Sequence, residues 1–178
     1  MSDRPREIPM PLTGMIAALR EGADFCDAWS VDSDAVDLSA MDLYIAAVKK
    51  TPRWVDACMN LRNRVVARLG LKDLGSLTTV PDAEAADRYR CGDRVGIFTL
   101  LENSFDEVLL GDKDKHLDVV LSVQRHAYPD GARIAVTVAT VVHVHNLLGH
   151  LYMLPVKPMH RRIVPAVLRA IGPPPRTA

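Results

Sequence analysis

Hydrophobic and polar positions follow two different rhythms along this chain. In the first half they recur at helical spacing. Ser39–Lys49 reads as a short helix with Ser39 or Asp42 near its start. Pro52–Leu69 reads as a longer one: Thr51 suits the N-cap, Pro52 suits the first helical position, and Gly70 stands where a closing glycine belongs. Trp54, Cys58, Leu61, Val65 and Leu69 form its apolar stripe. Residues 70–92 read as a connection with a short helix near Pro81–Arg88. Later the period shortens to two. Val95–Leu101, Phe105–Leu110, Leu117–Ala127 and Arg133–His145 are rich in Val, Ile, Leu, Phe and Thr, and they predict strands. Asp24–Val31 predicts an earlier strand with weaker alternation.

Turn residues separate these strands: Glu102-Asn103-Ser104, Gly111-Asp112-Lys113-Asp114 and Tyr128-Pro129-Asp130-Gly131. The last has proline second and glycine fourth, a β-turn pattern. If Tyr128 and Gly131 flank a two-residue loop, Val123 faces Val136, Leu121 faces Val138, Val119 faces Thr140 and Leu117 faces Val142. Both strands then turn their apolar sides to one face, and a one-residue slip would scramble that agreement. The other face carries Asp118, Ser122, Gln124 and His126 and is expected to be largely wet. After the strands, Asn146–Leu154 predicts one or two helical turns stopped by Pro155. A second helix follows from Pro158 to Ile171, bent at Pro165.

The order is strand, two helices, antiparallel meander, helix. It predicts an α+β fold in which a curved antiparallel sheet grips a long C-terminal helix, with two helices inserted after the first strand. Residues 1–178 read as one domain, with an irregular lead-in over about 1–11 and a frayed Pro-rich tail over 172–178.

Charge narrows the function classes. Lys plus Arg and Asp plus Glu are equal at 22 each, so no electrostatic footprint for nucleic acid or anionic membrane is present. The apolar run Ile134–Val144 is too short to cross a membrane as a helix. Cys26, Cys58 and Cys91 are far apart and form no CxxC, which points to free thiols in a reducing compartment. Met1–Glu7 is charged and lacks the apolar run of a signal peptide. A cytoplasmic location is the expectation. Ten glycines include no GxGxxG, so direct dinucleotide binding is not expected, and no cofactor is implied.

The stretch from Leu148-Gly149-His150 through Met159-His160-Arg161-Arg162 to Pro165, together with Trp54, Leu61-Arg62-Asn63 and Gly70-Leu71-Lys72, resembles an uncharacterised bacterial family of the START-like (SRPBCC, helix-grip) superfamily. The resemblance spans about residues 24–171. It implies a sheet around a long helix with a cavity between them. Members of that superfamily bind lipids, hormones and polyketides, and some are cyclases or hydrolases. The family has no established catalytic motif to carry over. Related domains occur joined to nucleotide-binding reductase domains, which implies a separate reductase-type protein as a possible partner here. His150 stands where the family pattern has a basic residue, so no charge-based role transfers to it.

Four residues are candidates for contact with a ligand. Arg62 lies on an apolar arc, where it either points into a cavity toward a ligand anion or is tied to a carbonyl or to Asp24 or Asp27. His160 lies among Met159, Ile163, Val167 and Ile171. It serves either as acid or base in a pocket or as a structural histidine near a helix start. Trp54 heads a helix stripe and reads as core or as a ligand platform, and Tyr152 reads as lining a cavity mouth or capping the sheet. His143 and His145 share a strand face, and with His150 they form a weak alternative metal set against a surface pair. The expected function is binding of a small apolar or amphipathic ligand in the cavity. The alternatives are a cyclase, isomerase or hydrolase using the same cavity, and an interaction protein with a solid core.

Overall fold

The computed structural model of the chain describes residues 4–68, 86 and 88–172, with the backbone alone at 61 and 63–68. The expected short helix near Pro81–Arg88, the Gly70 cap and most of the tail lie outside the described residues. Among those described, seven strands form one curled antiparallel sheet: β1 (Arg6–Ile8), β2 (Phe25–Ser33), β3 (Arg94–Val95), β4 (Phe98–Asn103), β5 (Glu107–Lys113), β6 (Leu117–Ala127) and β7 (Ile134–Val144). Their order is β1-β2-β7-β6-β5-β4-β3. Helices α1 (Ala40–Lys49) and α2 (Arg53–Arg68) lie between β2 and β3, and α3 (Leu147–Leu168) follows β7. The expected α+β architecture is thus present. The short β1 lies within the lead-in, so the helix pair follows the second strand and not the first.

Local chemistry sets these elements. Ser39 and Asp42 are not alternatives but partners in a reciprocal capping box: the Asp42 N–H donates to Ser39 Oγ at 3.2 Å and the Ser39 N–H donates to Asp42 Oδ2 at 3.0 Å. α1 is buried along nearly its whole length, through Met41, Leu43, Tyr44 and Val48. In α2 the inward face runs through Val55 and Met59, while Trp54 is 43% exposed. Trp54 thus stands off the buried face it is expected to head, Cys58 is half-buried as Met59 is, and the side chains of Leu61, Val65 and Leu69 lie outside the described residues.

The long hairpin corrects the expected register. Val123 faces Val138, Leu121 faces Thr140, Val119 faces Val142 and Leu117 faces Val144. The β-turn exists, with the Gly131 N–H bonded to the Tyr128 carbonyl at 2.9 Å. However, the strands close on Tyr128 and Arg133, whose N–H and carbonyl meet at 3.0 Å, so the loop holds four residues. A shift of two leaves every side chain on its face. Two more strands have corrected limits. Gly96, at φ 62°, turns the expected strand Val95–Leu101 into a hairpin of β3 and β4. The strand expected over Phe105–Leu110 starts later and runs on through Gly111 to Lys113. At Gly111 an added Cβ would lie 2.7 Å from Leu101 Cδ1, so glycine serves close strand packing there and not a turn.

The second sheet face is largely covered, although His126 stays exposed and Asp118 half-buried. The lead-in and a 3-10 helix over Met15–Arg20 cover it, burying Ile16, Ala28, Leu109, Val120, Ala139 and Val141. Ser122 and Gln124 are buried with them because both donate to the Glu107 carboxylate, at 2.7 and 2.9 Å. That carboxylate also accepts the Met15 N–H at 2.7 Å and the Ile16 N–H at 3.4 Å, which fastens the 3-10 helix to the sheet.

α3 is continuous, where a break at Pro155 was expected. Asn146 caps it by accepting the Gly149 N–H at 3.1 Å. Pro155 and Pro158 stand on its exposed side. The carbonyls they deprive of partners belong to Leu151 and Leu154, residues 60% and 68% exposed, where water can satisfy them. Ser33 Oγ donates to the Ile171 carbonyl at 2.7 Å and ties the far end to β2. No helix among the described residues is long and apolar enough to cross a membrane.

Candidate functional site

Alternation on β6 and β7 turns Leu121, Val123, Val138 and Val142 toward α3, which answers with Val156, Ile163 and Val167 at helical spacing. The two surfaces do not close on each other. Between them, with α1 and α2 along one side, lies a cavity of about 430 Å³. Its walls are mainly aliphatic, and polar groups reach it at a few points.

The first point joins β2, β7 and α3. Nε2 of His160 lies 3.1 Å from Asp27 Oδ1 and 3.2 Å from Thr140 Oγ1. A carboxylate only accepts, so His160 carries its proton on Nε2 and donates it there. Trp29 Nε1 donates to the other oxygen of Asp27 at 3.1 Å. Burial alone would raise the Asp27 carboxyl. The hydrogen bond and charge of His160, with the bonds from Trp29 and Thr140, outweigh it and hold the carboxyl below its ordinary range. The ring of His160 meets the edge of Phe25 at a centroid distance of 5.7 Å. This histidine sits well inside α3 and not near a helix start, because α3 has no break at Pro155.

The second point joins α2 to α3. Arg62 Nε donates to the Tyr152 hydroxyl at 2.9 Å, and its guanidinium carbon lies 5.4 Å from the Tyr152 ring centre. The third lies at the β5–β6 turn, where His116 Nδ1 is 3.0 Å from Asn146 Oδ1. On the wall nearest β3, Asp112 pairs with Arg94 at 3.0 Å. Tyr44 also lines the cavity. Burial, and then its neighbour Tyr89, push its hydroxyl upward, so it stays protonated.

The structure therefore brings Arg62, Tyr152 and His160 to one cavity. The partner of Arg62 named above is a tyrosine and neither Asp24 nor Asp27. Asp24 accepts the Val144 N–H instead, at 2.6 Å. Trp54 is elsewhere, beside a shallow groove on the outer side of α3 that also borders Trp29, Lys50, Arg161, Arg162 and Arg169. The three histidines of the metal alternative are dispersed. His143 Nε2 bonds the Leu19 carbonyl at 2.9 Å, His145 Nε2 pairs with Asp118 at 3.2 Å, and His150 is exposed on α3. Among the described residues no group of three His, Cys, Asp or Glu could hold a metal ion.

Sequence reasoning did not single out Thr140, Asp27 as the partner of His160, or His116. Thr140 was accessible, as a hydroxyl on an otherwise apolar strand face. His116 carried no signal, because it stands in a turn and its setting depends on the cap of a distant helix.

This is an α+β sheet-and-helix domain with a largely apolar internal cavity. The chain belongs to the family described as Protein of unknown function (DUF2867), whose model matches residues 19–167. No curated protein and no solved structure matches the chain.

Proposed function

We propose that this chain is a START-like, helix-grip binding module that holds a small apolar or amphipathic molecule between sheet and α3. One observation carries the reading: the cavity of about 430 Å³ within an otherwise packed core. Protein interiors leave few voids larger than a water molecule. An apolar occupant would cover these aliphatic walls without stranding hydrogen-bonding groups. The volume also lies in the range of small-molecule sites, and few polar groups among apolar walls is their usual composition. Arg62 with Tyr152, and His160 with Asp27, are the groups that orient the polar end of the occupant. Trp54, outside the cavity, has no part in this.

A second reading rests on Asp27 and His160. A histidine oriented by a buried carboxylate on a cavity wall suits proton transfer, which supports a cyclase, isomerase or hydrolase acting in the same space. The solid-cored interaction protein draws on exposed apolar residues such as Leu147, Leu151 and Leu154 of α3, and the cavity weighs against it. Three unpaired thiols favour a cytoplasmic setting.

Native mass spectrometry of the freshly purified protein tests the main reading. A reproducible mass above that of the bare subunit, lost on denaturation, is expected. Bare subunits, with no retained mass after incubation with hydrophobic extracts, would count against a stored ligand and favour the enzymatic alternative.

A further inference from the structure

Charge balances over the whole chain, at 22 of each sign, but not over its surface. The shallow groove on the outer side of α3 is lined by Lys50, Arg161, Arg162 and Arg169, and by no carboxylate among the described residues. All four cations are exposed, and among the described residues none of them forms an ion pair. Lys50 gives one proton to the Ala170 carbonyl, at 3.5 Å, and keeps two. The rest of the lining is indole, proline and alanine. Trp29 forms part of it, with its Nε1 proton given to Asp27. Trp54, near the start of α2, is 43% exposed although the next residue, Val55, is fully buried. α3 serves cavity and groove with separate rows: Ile163, Val164 and Val167 line the first, while Arg162, Pro165 and Arg169 line the second.

We propose that this groove binds an acidic segment of a partner protein, with a large apolar side chain of the segment packed on Trp54 and its carboxylates on Lys50, Arg161, Arg162 and Arg169. Tryptophan and arginine are the residues in which protein interfaces are enriched, and Asp and Glu are depleted there. Every polar side chain of the lining only donates hydrogen bonds, and an ionised carboxylate only accepts them. Arg162 and Arg169 stand about two helical turns apart, roughly 10 Å along the axis. Side chains on one side of an extended chain recur about every 7 Å, so a row of carboxylates meets cations spread over that length. A small anion fits less well, because its usual site buries most of its surface and this groove is shallow. A nucleic-acid strand could stack on Trp54, but the donors of its base edges would find no side-chain acceptor here. The groove shares no lining residue with the cavity, so the proposal stands apart from the binding reading above.

Matched peptides test this. One is Glu-Glu-Asp-Phe-Glu-Glu-Asp, the second replaces each acid by its amide, and the third replaces the Phe by Gly. Fluorescence anisotropy of the labelled peptides, titrated with the full chain, gives the affinities. The wild type is expected to bind the first peptide at least about tenfold more tightly than its amide counterpart, with the preference shrinking as salt rises. Arg162→Ala combined with Arg169→Ala is expected to weaken the acidic peptides several-fold and to leave the amide peptide unchanged. Trp54→Ala is expected to weaken the Phe peptide and not the Gly one. All three side chains are exposed, and the comparison of peptides on the wild type depends on no variant. Equal affinity for the acidic and amide peptides, or acidic binding that the arginine substitutions leave untouched, overturns the proposal. Tighter binding of a short thymidine strand or of phosphatidylserine vesicles than of the acidic peptide, lost in the arginine variant, would give the groove to another polyanion and overturn it too.

Discussion

Asp27 and His160, 133 positions apart in the chain, meet at 3.1 Å where β2 passes under α3. The pair does two things at once. It fastens the helix to the sheet at a place where the cavity leaves little apolar contact between them. It also sets a histidine on the cavity wall with its Nε2 proton committed, so the ring has a defined orientation. Asp27 keeps its charge in a buried position because Trp29 and Thr140 join His160 around it.

Acid should find this pair first. Folding lowers the Asp27 carboxyl below its ordinary range. A group lowered on folding contributes stability that is full above the unfolded value and lost as pH falls through the folded one. Urea melts of the wild type should therefore lose stability more steeply than those of Asp27→Asn from roughly pH 5 downward. At neutral pH the same substitution should cost about 1–3 kcal/mol, because His160 and Trp29 then face a weaker acceptor. Parallel acid limbs in the two proteins would mean that Asp27 is not the group responsible.

Glu107 gives a second case, on the opposite sheet face. Its carboxylate gathers four donors: Ser122, Gln124 and the Met15 and Ile16 amides. Glu107→Ala strands these groups and should cost about 3 kcal/mol, the upper end for unsatisfied buried donors. Hydrogen exchange locates the damage. The amides of Met15 and Ile16 should lose protection far more than those of β6 and β7. Uniform loss along the chain would contradict the clamp.

The same buried cluster explains where the sequence was legible and where it was not. Leu117–Ala127 and Ile134–Val144 were readable because a β-branched, period-two pattern has few other uses. Pattern parity also put the correct side chains on the cavity face, but it cannot detect a shift of two, and the four-residue loop went unseen. Ser122 and Gln124 looked solvated because a polar side chain reads the same whether water or a buried carboxylate satisfies it. Pro155 looked like a stop because the sequence does not tell which side of the helix the freed carbonyl faces. Arg62, Tyr152 and His160 stood out as polar residues among apolar neighbours. His116 did not, since its place on the cavity wall is set by Asn146, thirty positions later.

Gly149 sets two effects against each other. Alanine is the better helix former by about 1 kcal/mol. Yet a Cβ there would collide with the His116 carbonyl oxygen and lie 2.7 Å from Val144 Cγ1. The carbonyl is backbone and is already bonded to the His145 N–H at 2.9 Å, so it cannot yield cheaply. The clash should win. Gly149→Ala is expected to destabilise by about 1–3 kcal/mol, the range of overpacking, and thermal melts will read it. A rise in Tm would mean that the start of α3 has room to move.

Val138→Phe separates an open cavity from a filled one. Val138 lines the cavity from β7 and is only partly buried, with Leu121 and Ile163 as neighbours in the same cluster. In a solid core the larger ring has nowhere to go, and the strain should cost about 1–3 kcal/mol. In a cavity of about 430 Å³ the ring occupies existing space and gains apolar contact. Stability should then be unchanged or higher, while the mass retained in native mass spectra should be lost, because the space the ligand needs has been taken. Loss of stability with binding retained would place the ring against packed atoms and remove the main support for a ligand site between sheet and helix.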